Sequence, residues 1–157
     1  MATSDWNGLP AKLREYINDE MSDSMYYREL AAKAPTRASR ELLMEFSREE
    51  MTHAENFMEA YYRLTHREYR PENVERPIVP EYEEALRQRI MAETKDYEKY
   101  GIQYLKAPDQ YFRNLFFETR TVEAQHAMRI PILLHDEHMM HHMMSATMSS
   151  AGNMGKD

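Results

Sequence analysis

The sequence predicts an all-α protein: a four-helix bundle of two antiparallel helix hairpins joined by one long crossover, with a His- and Met-rich C-terminal extension. Three observations lead there. The 157 residues include only four glycines and seven prolines, and the strong helix formers Ala, Glu, Leu, Met, Arg and Lys dominate the middle of the chain. The prolines cluster at a few points that divide it into four stretches. The second half also repeats the first at an offset of 73 residues: Lys33-Ala34-Pro35 falls on Lys106-Ala107-Pro108, and Glu50 and His53 fall on Glu123 and His126.

The first helix is expected over about 10–34, ended by Pro35, and the second over about 37–65. The segment from Arg70-Pro71 to Pro77-Ile78-Val79-Pro80 holds three prolines and cannot be helical throughout. The third helix is expected over about 82–107, before Pro108, and the fourth from about Asp109 into the 140s, with a kink at Pro131. Short turns at Pro35-Thr36 and Pro108-Asp109 make antiparallel neighbours of helices one and two, and of three and four. The middle connection, about 15 residues, spans ~50 Å at ~3.3 Å per residue. A helix of about 26 residues is roughly 39 Å long, so the connection can cross the whole bundle and set helix three parallel to helix two. Residues 1–144 are expected to form one domain, and 145–157, small, polar and Met-containing, a flexible tail.

Composition narrows the chemistry. With no cysteine, the chain carries no disulfide, thiolate zinc site or iron–sulfur cluster. A net charge of −7 without a basic cluster argues against nucleic acid. No apolar run approaches a membrane span, and the N-terminus does not resemble a signal peptide. The expectation is a cytoplasmic protein with no nucleic-acid or membrane partner.

Following a heptad seam along each helix places acids and histidines where apolar residues belong. The seams read Leu13, Ile17, Glu20, Ser24, Tyr27; Leu43, Phe46, Glu50, His53, Phe57; Leu86, Ile90, Glu93, Tyr97, Tyr100, Tyr104; and Phe116, Thr119, Glu123, His126, Ile130. A buried ionised carboxylate costs several kcal/mol unless it is paired or bound to metal, and converging carboxylates repel. Two divalent cations would supply four compensating charges. Carboxylate oxygens and imidazole nitrogens suit iron or manganese, and zinc as well. Three-residue spacing puts each Glu and His pair on one helix face. The candidate ligands are therefore Glu20, Glu50, His53, Glu93, Glu123 and His126.

Glu20-x6-Tyr27, Leu30-Ala31-Ala32-Lys33-Ala34, Glu49-Glu50-Met51-Thr52-His53-Ala54-Glu55, Glu93, Tyr100 and Glu123-Ala124-Gln125-His126-Ala127 resemble the ferritin-like superfamily, and its rubrerythrin-type branch most. The likeness covers about residues 8 to 135. It implies a ferritin-like bundle holding two iron ions that react with hydrogen peroxide or dioxygen: a di-iron oxidoreductase, peroxidase or ferroxidase in type, assembled as a homodimer or larger homo-oligomer. The sequence differs from that pattern in two ways. Without cysteine there is no rubredoxin centre in these residues, so the expected electron donor is separate. Where the family carries a further Glu one turn after the third-helix ligand, this chain has Asp96, a candidate additional ligand that is shorter.

The expected function is peroxide reduction in oxidative-stress protection. Ferroxidase or iron-storage activity and manganese catalase-like activity are alternatives, as is a structural helical protein with a degenerate site. Tyr27 and Tyr100, two turns beyond Glu20 and Glu93, are expected to hydrogen-bond the ligands or peroxide, and Tyr97 and Tyr104 to pack in the core. His135, His138 and His142 share one helix face in a Met-rich stretch and form a candidate accessory metal site.

Overall fold

The computed structural model describes the backbone of residues 8–151 and the side chains of residues 8–145. Four helices follow one another: α1 Leu9–Lys33, α2 Arg37–Thr65, α3 Tyr82–Lys106 and α4 Gln110–Ala151. Among the described residues there is no strand, and no helix is long and apolar enough to cross a membrane.

The two hairpin turns are built alike. Ala34 and Ala107 stand before proline, where the helical region is disfavoured, and both are extended, with ψ of 133° and 131°. One residue past each proline, a side chain caps the next helix. Thr36 Oγ1 accepts from the Ser39 N–H at 3.0 Å, and Asp109 Oδ1 accepts from the Phe112 N–H at 3.0 Å.

The crossover runs beside α1 from end to end. The Asn18 amide donates to the Tyr69 hydroxyl at 2.9 Å, Arg76 donates to Glu29 at 2.5 Å, and Lys33 donates to the carbonyls of Val79 and Pro80 at 3.0 and 2.8 Å. The order 18, 29, 33 against 69, 76, 79 makes it parallel to α1, so it returns the chain to the end where α2 began. Side-chain contacts then show α3 antiparallel to α1 and α4 antiparallel to α2. Tyr27 meets Glu93 while Tyr100 meets Glu20, and Glu45 meets Arg129 while Glu49 meets His126. This is the ferritin-like bundle expected from the sequence.

Two apolar clusters fill the interior. One gathers Tyr27, Leu30, Leu43, Phe46, Leu86 and Ile130; the other gathers Leu13, Ile17, Phe57, Tyr100, Phe112 and Phe116. The six Glu and His residues of the four seams lie in the polar stretch between them.

One expectation needs correction. Tyr97 is 37% exposed rather than core. Gly101 has no side chain, so Arg120 can lie across α3; a Cβ there would come within 3.3 Å of the guanidinium carbon, which instead sits 4.2 Å from the centre of the Tyr97 ring. Tyr104 is half-buried against the second cluster. The expected tail is helical through Ala151, because no glycine or proline occurs between Pro131 and Gly152 to stop the helix. Pro131 itself lies inside α4. Residues 152–157, the rest of that tail, fall outside the described residues.

Candidate metal centre

Glu20, Glu50, His53, Glu93, Glu123 and His126 are each 5% exposed or less. Their ligand atoms form two overlapping groups, each within 4.8 Å: Glu20, Glu50, His53 and Glu123, and Glu50, Glu93, Glu123 and His126. Glu50 and Glu123 are common to both. His53 Nδ1 lies 3.4, 3.1 and 3.1 Å from Glu20, Glu50 and Glu123. His126 Nδ1 lies 3.0, 3.4 and 3.7 Å from Glu50, Glu93 and Glu123. The 73-residue offset exchanges these two sets, so the internal repeat of the sequence appears as an approximate twofold axis through the site.

Surrounding residues hold the ligands in place. The Tyr27 hydroxyl donates to Glu93, and the Tyr100 hydroxyl donates to Glu20. Each tyrosine thus serves the Glu of the opposite hairpin, and both rings are fully buried. Arg89, buried in α3, donates to Glu93 at 3.1 and 2.5 Å and to both oxygens of Asp23 at 2.7 and 2.9 Å. Glu49 lies 2.7 Å from His126 Nε2.

The electrostatics show crowded negative charge. Burial, with Glu123 and Glu50 beside it, pushes the Glu20 carboxyl well above the ordinary range. Burial and Glu50 push Glu123 up to about 8. Burial acts the same way on Glu93 and is the largest single influence, but the Arg89 guanidinium together with polar contacts to His126 and Glu123 outweighs it and brings that carboxyl down to about 2. Burial opposes charging of both imidazoles, yet the surrounding carboxylates raise His53 and His126 well above the usual histidine range. The site calls for positive charge, and protons are one source of it.

A metal fits the donor set better than protons do. Glu50 Oε1, Glu93 Oε2, Glu123 Oε1 and His126 Nδ1 are buried without a hydrogen-bond partner. His126 Nδ1 and Glu50 Oε1 are 3.0 Å apart and still not aligned for a hydrogen bond. Buried polar atoms seldom remain unpaired. On the His126 side, donor atoms that crowd together without bonding one another have the arrangement of ligands around a common centre, whereas His53 Nδ1 is within hydrogen-bonding reach of Glu20 and Glu50. Four carboxylates and two imidazoles match two divalent ions in charge and in ligand type.

The other sequence candidates lie apart. Asp96 pairs with Lys99 at 2.6 Å and belongs to neither group. His135, His138 and His142 are exposed on the projecting end of α4. His138 lies 3.6 Å from Glu83, and among the described residues these histidines join no set of three histidine or carboxylate ligand atoms. Sequence reasoning missed Arg89 and Glu49 as supporting residues. A signal existed: their repeat counterparts, Tyr16 and Val122, differ from them in kind.

Comparison with known proteins agrees with this geometry. No curated protein and no solved structure matches the chain. A family model described as Rubrerythrin matches residues 13–130, a span that includes all six residues of the centre. The chain belongs to the rubrerythrin family, whose character as di-iron oxidoreductases accords with the buried Glu and His layer.

Proposed function

We propose that the protein is a di-iron peroxidase, reducing hydrogen peroxide with electrons from a separate donor. The supporting observation is the pair of overlapping buried ligand groups that share Glu50 and Glu123. The choice of peroxide as substrate rests on family membership.

When bound, two ferrous ions would supply one electron each and the Lewis acidity that polarises an oxygen. Peroxide takes two electrons and two protons and leaves as two waters. The chain's own residues prepare the site for this. Glu50 and Glu123 bridge the two groups, while Glu20 with His53 and Glu93 with His126 complete one side each. Tyr27 and Tyr100 orient the terminal carboxylates through their hydroxyls and place O–H protons at the edge of the layer. Glu49 holds His126 through Nε2, which keeps the Nδ1 lone pair turned inward. The apolar clusters on either side exclude bulk water, so charge developed in the layer is poorly screened.

The test is metal analysis of the native protein, followed by stopped-flow oxidation of the diferrous form. Two irons per chain, and oxidation faster with peroxide than with dioxygen, support the proposal. Oxidation of many ferrous ions per chain by dioxygen would point to ferroxidase or storage activity. Oxygen release from peroxide without a reductant would point to catalase-like activity. Fewer than about one metal per chain would overturn the proposal.

A further inference from the structure

The approximate twofold axis makes each half of the centre a control for the other. The ligands obey it; the residues outside the two histidines do not. Around His126 the ring is covered. Phe46 lies against it with 4.3 Å between ring centres, and Glu49 takes Nε2. Arg129 lies 4.9 Å from the centre of the Phe46 ring and is tied to Glu45 at 2.8 Å.

At the repeat offset, Phe46, Glu49 and Arg129 correspond to Thr119, Val122 and Asn56. None of these can cover His53 in the same way. The Thr119 hydroxyl turns back to the Leu115 carbonyl at 3.0 Å, Val122 has no polar atom, and Asn56 lacks the reach of arginine. Together with His53 and Glu118 they line a groove of about 210 Å³ between α2 and α4. Phe46, Glu49 and Arg129 on the His126 side are thus matched by smaller residues on the His53 side, while Glu45 is matched by Glu118, and the groove lies where the first three covers are missing.

We propose that this groove is a one-sided access route by which small neutral hydrogen-bonding molecules, of the size of peroxide, reach the centre at His53, while the His126 side is closed. This rests on the reading that the layer holds metal. The lining disfavours anions and leaves small neutral molecules free to enter. Glu118 and Glu49 both border the groove and, with the carboxylates behind them, repel anions, while Asn56 and Thr119 offer hydrogen bonds.

Two measurements test the route, one of them independent of metal. Because the chain has no cysteine, Thr119→Cys and Phe46→Cys give single-thiol proteins at symmetry-related positions. Methyl methanethiosulfonate, a small neutral reagent, should modify the metal-free Thr119→Cys protein at least tenfold faster than Phe46→Cys; equal rates would overturn the proposal. In the diferrous protein, Thr119→Phe should slow nitric oxide binding at least tenfold, followed by stopped-flow absorbance. Val122→Phe, at a half-buried position, should do the same if Thr119→Phe does not fold. Unchanged nitric oxide rates in folded, fully loaded variants would also overturn it. If wild-type protein takes up no iron, the nitric oxide signal is absent from the start; the metal reading then fails and takes the route with it, while thiol labelling still reports whether the groove is open.

Discussion

Replacing Arg89 with leucine should destabilise the protein strongly without metal and weakly with it. The Arg89 side chain is 7% exposed and links Asp23 on α1 to Glu93 on α3. It also lies 4.9 and 5.3 Å from the centres of the Tyr27 and Tyr26 rings. Removing one partner of a buried ion pair costs about 3–5 kcal/mol, mainly because the other charge is left uncompensated. Here two carboxylates lose their cation and Glu93 is fully buried, so the metal-free loss should lie near 5 kcal/mol, less about 1–2 kcal/mol from the apolar surface that leucine buries. If the layer holds metal as proposed, Glu93 would be compensated by it and only Asp23 would be left. Asp23 is 22% exposed and its carboxyl is already raised to about 6 by burial, so it can take a proton; the loss should then fall to about 1–2 kcal/mol. The assay is urea unfolding of wild type and Arg89→Leu, metal-free and loaded with redox-silent zinc. A domain of this kind has about 5–15 kcal/mol of stability, so both losses are measurable. A metal-free loss under ~1 kcal/mol, or the same loss with and without zinc, would refute the reasoning.

Three further outcomes are expected. Tyr27→Phe and Tyr100→Phe each remove a hydrogen bond to a buried carboxyl, so each should cost about 1.5–3 kcal/mol in urea unfolding; a loss under ~0.5 kcal/mol for either would show that its hydroxyl does not hold the carboxyl. Glu49→Ala should lower affinity at the His126 half about 10–100-fold, seen in a chelator-competition titration as a loss of the tighter of the two metals; an unchanged titration would show that Glu49 does not hold His126. The third concerns pH. Glu123, raised to about 8, and both raised histidines bind more protons when folded. They add stability below their unfolded values, and that stability is lost as pH rises through the folded ones. Glu93, lowered to about 2, adds stability above its unfolded value that is lost as pH falls towards 2. Metal-free protein should therefore be most stable near pH 4.5 and weaken steadily towards pH 8 as the raised carboxyls and then the histidines lose their protons, whereas zinc-loaded protein should not weaken there; thermal unfolding across pH would show it.

Most of the fold was readable because its signals are local. A proline after Lys-Ala ends a helix wherever it occurs, and a Glu with a His three residues on shares a helix face before any tertiary structure forms. Arg89 and Glu49 were harder to read than Tyr27 and Tyr100, because the repeat marks them only as mismatches and their roles are tertiary. Arg89, four residues before Glu93, looks in sequence like an ordinary exposed i,i+4 pair; its burial is decided by Asp23 and Tyr26 from another helix. Tyr97 was misplaced because a strict heptad drifts against the 3.6-residue turn, and because Gly101 lets Arg120 cross the helix surface. At the C-terminal end of α4, the apolar pattern shows where burial stops, at Leu133, and says nothing about where the helix stops.

The repeat also separates what the centre requires from what adjusts it. Residues that match across the 73-residue offset, namely Glu20 and Glu93, Tyr27 and Tyr100, Glu50 and Glu123, His53 and His126, are those whose chemistry both halves need. Residues that differ create the inequality between the halves. Arg89 stands opposite Tyr16 and holds Glu93 ionised, whereas Glu20 has no guanidinium and burial favours its proton. Glu49 stands opposite Val122 and fixes one imidazole only. Phe46 stands opposite Thr119 and covers one histidine only. All three differences act in the same sense. The Glu93 and His126 half is charged, oriented and closed, and so suited to retaining a cation. The Glu20 and His53 half has no guanidinium beside its carboxyl and borders the groove. A symmetric donor set in asymmetric surroundings thus leaves the two halves unequal in charge, orientation and cover while the six Glu and His residues match.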